Sequence, residues 1–449
     1  MTKQFTEYLK RQETPLKNAI ADLVRIPSVL DESDPSYPFG VGVHQALQKA
    51  VDIAADLGLR TWYDGAGYYA WAEIGQGAEM LGVLGHVDVV PAGNPENWQT
   101  PPFEPSERQG KLYGRGVQDD KGPMMAALFA VKALMDAGVS FNKRVRFIFG
   151  GDEENHWRGI NRYMAREEIP SLGFTPDAEF PLIFAEKSIL QVVLSASNDV
   201  GAPSMSLGSA FNAVPGEAVY TGPHQWALIA QLKDWGFDFL HVENGVKVLG
   251  KAAHASLPEN GVNAIVRLAL AADAAGIPSR AMHFLAQTAG KDYYAEAIFG
   301  PLEDDVSGKL TFNVGKLIIT PEEEQLCLDM RIPVTTPKDA VVPKLQQAAA
   351  KFGLRYQEHA WKGSLYVPLD HPLVKTLLKV YREETGDAEA EPIAIGGGTY
   401  ARAMPNCVAF GPNFPGSPET AHQANEFIVI DEMNRAMAIY AAAIYELTR

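Results

Sequence analysis

The chain has 449 residues and is 46% hydrophobic, so it is long enough for two or three globular domains, and its composition excludes a disordered protein. Its 55 acidic and 39 basic residues give a formal net charge of -16. A charge of this sign repels phosphate backbones and anionic lipid surfaces, so we expect no nucleic-acid partner and no membrane partner.

The two cysteines, Cys327 and Cys407, lie far apart in apolar runs, which predicts buried thiols and no disulfide. The first ten residues lack the apolar core of a signal peptide. No uncharged apolar stretch reaches the roughly 18 residues that span a bilayer. We therefore expect a cytoplasmic protein.

Helical and strand-like patterns alternate in the first part of the chain. Apolar residues at helical spacing predict helices over 5–23, 41–57, 124–135 and 157–166. Continuous apolar runs at Met80–Leu84 and Val145–Phe149 are typical of buried parallel strands. Strand, loop and helix repeats of this kind build a mostly parallel sheet with helices on its faces.

The pattern changes after residue 186 and returns later. The middle part predicts strands over 189–196, 309–314 and 324–332 with helices over 225–235 and 263–275. The last part predicts a helix over 372–384, a strand over 408–410 and a helix over 431–447. We predict an α/β protein with a discontinuous domain of residues 1–186 and 361–449, whose mostly parallel central sheet is flanked by helices, and an inserted α+β domain of residues 187–360.

Three short segments present metal-ligand residues just after predicted strands or at the start of a predicted helix: Gly85–Asp88, Gly114–Gly122 and Gly150–Glu154. Open α/β sheets build their sites at the carboxyl ends of strands. One imidazole with several carboxylates suits a divalent transition metal, and a surplus carboxylate suggests two ions that share a ligand. The first hypothesis is therefore metal-assisted hydrolysis.

Each segment also has a simpler interpretation. Asp119 or Asp120 could cap the helix that follows, and the acidic run 152–154 could be a solvated start of a helix. His86 ends a predicted buried strand and is followed two residues later by a carboxylate, the partner that a ligand imidazole commonly needs. Three such segments in succession favour a site.

The run Gly85–Pro91, the segment Gly114–Gly122 and the pair Glu153–Glu154 resemble the M20 family of cocatalytic metallopeptidases. The resemblance extends over nearly the whole chain. Four further segments resemble the bacterial dipeptidases of the PepV and Sapep type: Thr175–Pro181, Phe184–Lys187, Gly396–Arg402 and His422–Glu426.

The resemblance implies two divalent metal ions per chain, zinc first, with manganese or cobalt as alternatives. It implies that His86 and Asp177 hold one ion. Glu154 and His422 would hold the other, and Asp119 would bridge the two. It further implies that Asp88 orients His86 and that the peptide bond between Asp119 and Asp120 is cis.

The same resemblance implies the catalytic groups and makes the inserted domain a lid. Glu153 would be the general base that takes a proton from a metal-bridging water. Asn212 and His254, both in the lid, would donate hydrogen bonds to the oxyanion. The substrate carboxylate would be held by Arg331, Thr399 and Gly398.

The expected reaction is hydrolysis of the peptide bond of dipeptides with a free N-terminus, with a small peptide as the substrate. The long insertion resembles the enlarged lid that supplies its own histidine, so we expect a functional monomer. One alternative is an amidohydrolase of the N-acyl amino acid deacylase or desuccinylase type. Another is a catalytically inactive binding homologue.

Overall fold

The computed structural model of the chain describes residues 2–33 and 35–449. The described residues form two compact units. Unit 1 comprises the segments Met1–Phe184, Tyr366–Ile393 and Gly398–Arg449, and unit 2 comprises Ala185–Leu365 and Ala394–Gly397. Unit 2 differs from the predicted insertion of residues 187–360 by also including residues 185–186, 361–365 and 394–397.

The first segment of unit 1 contains the four helices that the sequence predicts: α1 (Thr6–Val24), α2 (Val41–Asp56), α3 (Lys121–Asp136) and α4 (Arg158–Arg166). Its strands are β1 (Arg60–Tyr63), β2 (Tyr69–Ile74), β3 (Met80–His86), β4 (Ser106–Arg108), β5 (Lys111–Tyr113), β6 (Arg144–Gly150), β7 (Leu172–Thr175), β8 (Ala178–Glu179) and β9 (Ile183–Glu186). The predicted strands at Met80–Leu84 and Val145–Phe149 are therefore confirmed.

The middle of the chain contains strands β10 (Ser188–Ser197), β11 (Met205–Leu207), β12 (Ala213–Val214), β13 (Glu217–Tyr220), β14 (Phe239–Val242), β15 (Gly245–Leu249), β16 (Ala253–His254), β17 (Glu303–Asp304), β18 (Gly308–Lys309), β19 (Thr311–Ile319), β20 (Glu323–Ile332) and β21 (Arg355–Lys362). Its helices are α5 (Gln225–Asp234), α6 (Ala264–Ala274), α7 (Arg280–Thr288), α8 (Glu296–Phe299) and α9 (Val342–Ala350). The predicted helices α5 and α6 and the predicted strands β10 and β20 are confirmed, whereas the pattern did not predict α7 or α9.

The last part of the chain contains β22 (Leu365–Tyr366), α10 (Pro372–Thr385), β23 (Ile393–Ile395), β24 (Cys407–Ala409), β25 (Pro412–Asn413), β26 (Phe427–Val429) and α11 (Ile430–Thr448). Both predicted helices and the predicted strand of this part are present. Short 3-10 helices cover Thr2–Phe5, Pro95–Asn97, Pro258–Asn260, Lys338–Ala340 and Tyr400–Ala403.

Within the described residues, the central sheet has its strands in the order β1-β2-β6-β3-β7-β24-β9-β22, and β23 also pairs with β9. The pairs β6-β3, β3-β7 and β7-β24 are parallel, whereas β1-β2, β2-β6 and β24-β9 are antiparallel. The sheet is therefore mixed, and the prediction of a mostly parallel sheet is not confirmed. The reason is local, because β1 and β2 are joined by the short turn 64–68, which suits an antiparallel hairpin, while the crossover between β3 and β6 includes the helix α3.

The parallel centre of this sheet fixes where the candidate site forms. All seven residues of β3 are buried, as expected for a strand covered on both faces. The register pairs His86 with Gly150, so β3 and β6 end side by side. The segments that follow these strands therefore begin at the same edge of the sheet.

Unit 2 is built on a five-stranded antiparallel sheet in the order β11-β19-β20-β10-β21. Alternate side chains of β10, including Leu190, Val192 and Leu194, are buried in its core. The helices α6 and α7 pack on this sheet and contribute Leu268 and Leu285 to the same core. A three-stranded sheet, β13-β15-β14, and the pair β12-β16 complete the unit.

Both cysteines, Cys327 and Cys407, are buried and not in a disulfide, which confirms the prediction for them. Among the described residues, no helix has both the length and the apolar character that a membrane span requires.

Candidate metal centre

Side chains from three strand ends and two loops converge at the edge where β3, β6 and β7 finish. His86 is the last residue of β3, and Asp177 lies two residues after β7. The His86 Nε2 atom lies 3.0 Å from Asp119 Oδ1 and 3.6 Å from Asp177 Oδ2. The structure thus places two carboxylates, drawn from separate parts of the chain, around one imidazole nitrogen.

Asp119 lies between two histidines. Its other oxygen, Oδ2, is 2.9 Å from His422 Nε2, and the same nitrogen is 3.1 Å from Glu154 Oε2. One carboxylate oxygen therefore faces each imidazole. All five residues that the resemblance implies as ligands, His86, Asp119, Glu154, Asp177 and His422, lie in one cluster.

Two groups of three residues in this cluster have ligand atoms within 4.8 Å of one another: His86 with Glu153 and Asp177, and His86 with Asp119 and Glu154. Both groups contain His86, whereas the resemblance assigns His86 and Glu154 to different ions. The division of ligands between two ions therefore stays a prediction. Imidazole nitrogen and carboxylate oxygen together suit first-row divalent metals.

The cluster carries more negative than positive charge. Burial, followed by repulsion from Asp119, raises the pKa values of both Glu154 and Asp177. Burial opposes protonation of His86, but hydrogen bonds with Asp119, Asp177 and Asp88 outweigh it and raise its pKa well above the usual value. Cations bound among these groups would relieve the repulsion between the carboxylates, so the donor set fits divalent ions.

Glu153 lies beside this cluster, with its Oε2 atom 4.0 Å from His86 Nε2. Burial is the main cause that raises the pKa of Glu153 well above its usual value. The positive charge of His86 lowers this pKa, whereas the negative charges of Asp177, Glu154 and Asp119 raise it. A carboxyl group with a raised pKa is suited to accept a proton near neutral pH.

Asp88 supports both sides of the cluster. His86 Nδ1 lies 3.0 Å from the Asp88 carbonyl oxygen and 3.6 Å from its Oδ1 atom. The Asp88 carboxylate accepts hydrogen bonds from the backbone N–H groups of Glu153 (3.1 Å) and Glu154 (3.2 Å). One buried side chain therefore holds the turn that carries both glutamates, while its backbone contacts the imidazole.

Asp120 does not cap α3, although it occupies the N-cap position, so that alternative is wrong. Its Oδ2 atom accepts a hydrogen bond of 3.1 Å from the backbone N–H of His86. Gly85 permits this contact, because a Cβ atom there would lie 2.3 Å from the same oxygen. The peptide bond between Asp119 and Asp120 is cis, as the resemblance implies.

Glu426 holds the loop that carries Asp119, a role that the sequence did not reveal. Its buried carboxylate accepts hydrogen bonds from the backbone N–H groups of Gly116, Gln118 and Asp119, at 2.9 to 3.3 Å for its Oε1 atom. Arg115 Nη1 donates to its Oε2 atom at 2.6 Å. The only sequence signal was the position of Glu426 at the end of the His422–Glu426 segment.

A second supporting contact precedes the two glutamates. Asp152 is 1% exposed and has a φ of 73°, in the left-handed region that non-glycine residues seldom adopt. The Arg158 guanidinium donates to both carboxylate oxygens of Asp152, from Nε to Oδ2 at 2.6 Å and from Nη2 to Oδ1 at 3.1 Å. The contact between Asp152 and Arg158 fixes the chain just before Glu153. In the sequence, Arg158 follows Asp152 by six residues and lies in a predicted helix, and this spacing could have suggested the contact.

Two of the predicted lid residues lie on or next to a pair of strands in unit 2. Asn212 immediately precedes β12, and Ala213 of β12 pairs with His254 of β16. The backbone N–H of Ser256 donates to His254 Nδ1 at 3.2 Å, which leaves the proton of a neutral ring on Nε2. Desolvation and then the positive charge of Arg331 lower the pKa of His254, so the ring is neutral near pH 7.

Arg331 is 3% exposed and is held by its neighbours in unit 2. Its guanidinium donates to Asp329 Oδ1 at 2.6 Å, to Asp329 Oδ2 at 3.3 Å and to the Gly396 carbonyl oxygen at 2.9 Å. These contacts use three of the five N–H donors of the side chain. Gly398 and Thr399 belong to unit 1, where the Thr399 hydroxyl accepts a hydrogen bond from the backbone N–H of Ala401.

The amino-acid sequence matches the family model described as peptidase family M20/M25/M40 over residues 82–446. It is 38% identical to the Bacillus subtilis (strain 168) protein named "Putative dipeptidase YtjP", covering 99% of each chain. It is 33% identical to the Beta-Ala-Xaa dipeptidase of Lactobacillus delbrueckii subsp. lactis, covering 100% of this chain and 99% of that one.

The fold is similar to that of the solved di-peptidase Dug1p from Saccharomyces cerevisiae, with a TM-score of 0.60 and 14% identity over 99% of this chain and 98% of that chain. At this identity the likeness concerns the fold alone. The family match covers most of the chain and includes every residue of the metal cluster, and the curated relatives match it from end to end. The resemblance to the M20 family is therefore confirmed: the chain is a member of peptidase family M20/M25/M40.

Proposed function

We propose that this protein is a di-metal dipeptidase that hydrolyses the peptide bond of dipeptides with a free N-terminus. The observation that carries the proposal is the position of Glu153, a buried carboxylate 4.0 Å from His86 Nε2 at the edge of a cluster that already contains five ligand-type side chains. A site that only stored metal would not need this additional carboxylate. The two curated relatives, whose names describe dipeptidases, support the substrate class.

In the proposed site, His86 and Asp177 would hold one divalent ion, Glu154 and His422 would hold the other, and Asp119 would be shared between them. When bound, two such ions would lower the pKa of a water molecule and polarise the scissile carbonyl group. Glu153 accepts the proton from the attacking water at a carboxylate oxygen and delivers it to the amine that leaves. Asp88 keeps Glu153 and Glu154 in place through their backbone N–H groups.

The residues of unit 2 have separate tasks in this proposal, in which unit 2 acts as the lid domain and unit 1 as the catalytic domain. His254 carries its proton on Nε2 and donates from there to the oxyanion, together with the amide of Asn212, which immediately precedes the neighbouring strand β12. Arg331 binds the substrate carboxylate with the two N–H donors that its contacts leave unused. Gly398 and Thr399 assist in holding that carboxylate.

The test is hydrolysis of a dipeptide panel that includes β-alanyl dipeptides, with metal-stripped protein to which zinc, manganese or cobalt is restored in turn. We expect no hydrolysis by the stripped protein and recovery with two equivalents of an active ion. Each dipeptide is paired with its N-acetylated form as the matched control. Faster hydrolysis of the acetylated forms would contradict the dipeptidase proposal and favour an N-acyl amino acid deacylase.

We also propose that one chain contains the complete set of catalytic groups and acts as a monomer. The set includes both a candidate general base, Glu153, and a lid histidine, His254. Sedimentation of the active protein at assay concentration should give the mass of one chain. Activity that appears only with a dimer, and that is restored by mixing Glu153→Gln with His254→Ala protein, would contradict this proposal.

A further inference from the structure

Unit 2 contains a cavity that the proposed reaction does not use. It lies among α6, the segment 289–293 that follows α7, and β19, and it has a volume of about 190 Å³. Its wall is largely apolar and includes Phe237, Val262, Val266, Leu270, Phe312 and Val314. A cavity of about 150 Å³ with a similar lining binds benzene, so this one has room for a ring or a short branched chain.

Two cations line the same cavity. The guanidinium carbon of Arg267 lies 5.0 Å from the centre of the Phe237 ring, and Lys291 Nζ lies 4.8 Å from that centre and 5.0 Å from that of Trp235. Arg267 has one carboxylate nearby, the largely exposed Asp238 at 3.8 Å. Within the described part of the chain, no carboxylate oxygen lies within 4.0 Å of Lys291 Nζ, so its charge is not neutralised by an ion pair.

The other polar groups of the wall already have hydrogen-bond partners. The Asn263 side chain donates to the Val314 carbonyl oxygen and accepts from two backbone N–H groups, and the Tyr293 hydroxyl donates to the Gly261 carbonyl oxygen. The Asp292 carboxylate accepts from the backbone N–H groups of Tyr294 and Glu296. Arg267 Nη1 donates to the Leu249 carbonyl oxygen at 2.7 Å, so the hydrogen-bonding capacity that remains for a ligand is concentrated on Lys291 and on the other N–H groups of Arg267.

From this combination we propose that the cavity binds a small organic acid with an apolar body, whose carboxylate faces Lys291 and Arg267. The apolar wall removes the body of the ligand from water, and the ammonium on the aromatic faces attracts the carboxylate without first losing an internal ion pair. The ligand class includes both simple carboxylic acids and free amino acids with apolar side chains. The proposal is independent of the peptidase reaction.

Calorimetric titration of the full-length protein with phenylpropionate tests the proposal. We expect a dissociation constant of about 1 mM or tighter. The neutral amide of the same acid should bind at least about tenfold more weakly, because it lacks the charge-assisted contact. An amide that binds as tightly as the acid, or an acid that does not bind, would overturn the proposal.

Variants identify the site of binding. Lys291→Gln should weaken the binding of phenylpropionate about tenfold or more, as expected for the loss of one charged partner. Val266→Phe should abolish the binding by filling the cavity. Lys351→Gln, the same charge change at an exposed residue of unit 2 outside the cavity, should leave the dissociation constant unchanged. Equal weakening by both lysine variants, or by neither, would contradict the proposed site.

Phenylalanine in place of phenylpropionate distinguishes the two sources of the ligand. If phenylalanine binds as tightly and its binding depends on Lys291, the cavity accepts free amino acids. If phenylpropionate shows binding that depends on Lys291 and phenylalanine does not, the cavity selects acids without an amino group. Both results support the proposal, whereas binding of either compound that is insensitive to both Lys291→Gln and Val266→Phe would contradict it.

Discussion

The two histidines of the candidate metal centre lie in opposite surroundings. The His86 side chain is fully buried at the end of β3, and its Nδ1 atom contacts the Asp88 carbonyl oxygen at 3.0 Å. The His422 side chain is 54% exposed and belongs to an irregular segment, with a φ of 62°. Within the described residues, its Nδ1 atom has no hydrogen-bond partner.

This difference shows that one side of the cluster is fixed by the fold and the other is open to solvent. A ligand imidazole whose second nitrogen is held has its tautomer and orientation set before metal arrives. On the His422 side, Asp119 and Glu154 contact the Nε2 atom, and the proposed metal ion would complete the orientation of the ring. We therefore expect tight and slowly exchanging metal on the buried side, and weaker, faster exchange on the exposed side.

The largest effect is expected from Glu153, which lies on the buried side but is not assigned to an ion. Glu153→Gln should lower kcat for a dipeptide by about 10²- to 10⁴-fold, the usual contribution of a general base. The metal content should stay at two ions per chain, because the amide keeps the shape of the side chain. Mass spectrometry of the metals and steady-state kinetics check both expectations, and either lost metal or an unchanged rate would contradict the role.

Replacing the two histidines one at a time tests the comparison directly. His422→Ala should weaken the binding of one ion by about 100-fold or more, since even a supporting residue contributes ten- to a hundredfold. The other ion should remain bound. His86→Ala should disturb both ions, because its Nε2 atom lies 3.0 Å from the shared Asp119.

Chelator dialysis of the wild-type protein provides a second measurement of the same difference. We expect one ion to leave before the other. The half-depleted wild-type protein should then contain the same number of metal ions per chain as the His422→Ala variant. Simultaneous release of both ions would show that burial of His86 does not separate the two positions. Retention of the ion in His422→Ala at wild-type affinity would remove His422 from the ligand set.

Asp88→Asn should have a smaller effect that extends to both sides. We expect the affinity for metal to fall about ten- to a hundredfold. The NH2 group of the new amide would face the backbone N–H of either Glu153 or Glu154, and two donors cannot form a hydrogen bond. Asp56→Asn, at an exposed position in α2, is the matched control and should not change the affinity. If only the ion on the His86 side is weakened, the support of Glu154 by Asp88 is negligible.

The smallest effect is expected from the Arg158 contact with Asp152. Arg158→Gln should lower the free energy of unfolding by about 1–3 kcal/mol, because a buried carboxylate loses a charged partner. Since Arg158 is itself 36% exposed, we expect a value near the lower end of this range. Thermal unfolding next to the control Arg166→Gln, an exposed residue of the same helix, measures the difference. Equal stability of the two variants would mean that Arg158 does not fix this turn.

The sequence predicted the parts of the site that follow from local patterns. Continuous apolar runs located β3 and β6, and the ligand-type residues after them lie together because both strands end at one edge of the sheet. The family resemblance then indicated Asp177 and His422, which no local pattern connects to the first three segments. The cis bond between Asp119 and Asp120 was also implied only by the resemblance.

The parts that the sequence did not predict depend on distant contacts. Glu426 has an ordinary acidic side chain in an irregular segment, and only the folded chain brings it to the backbone of Gly116 and Gln118. The mixed character of the central sheet depends partly on the hairpin of β1 and β2, whose turn contains the pair Asp64-Gly65, a hairpin signal that the sequence analysis did not use. The helix α7 was not predicted, although it has the same length of nine residues as the predicted helix α4.

The contact between Glu426 and the Asp119 loop also has a consequence for biosynthesis. It joins groups 307 residues apart in the chain, so the loop lacks its anchor until the ribosome has made unit 2, the helix α10 and the strands β24 and β25. Contacts of such long sequence separation form late in folding. A nascent or truncated chain that ends before residue 426 would therefore have the earlier ligand-type residues without the contact that holds the loop of Asp119, so we expect no hydrolytic activity before Glu426 has been made.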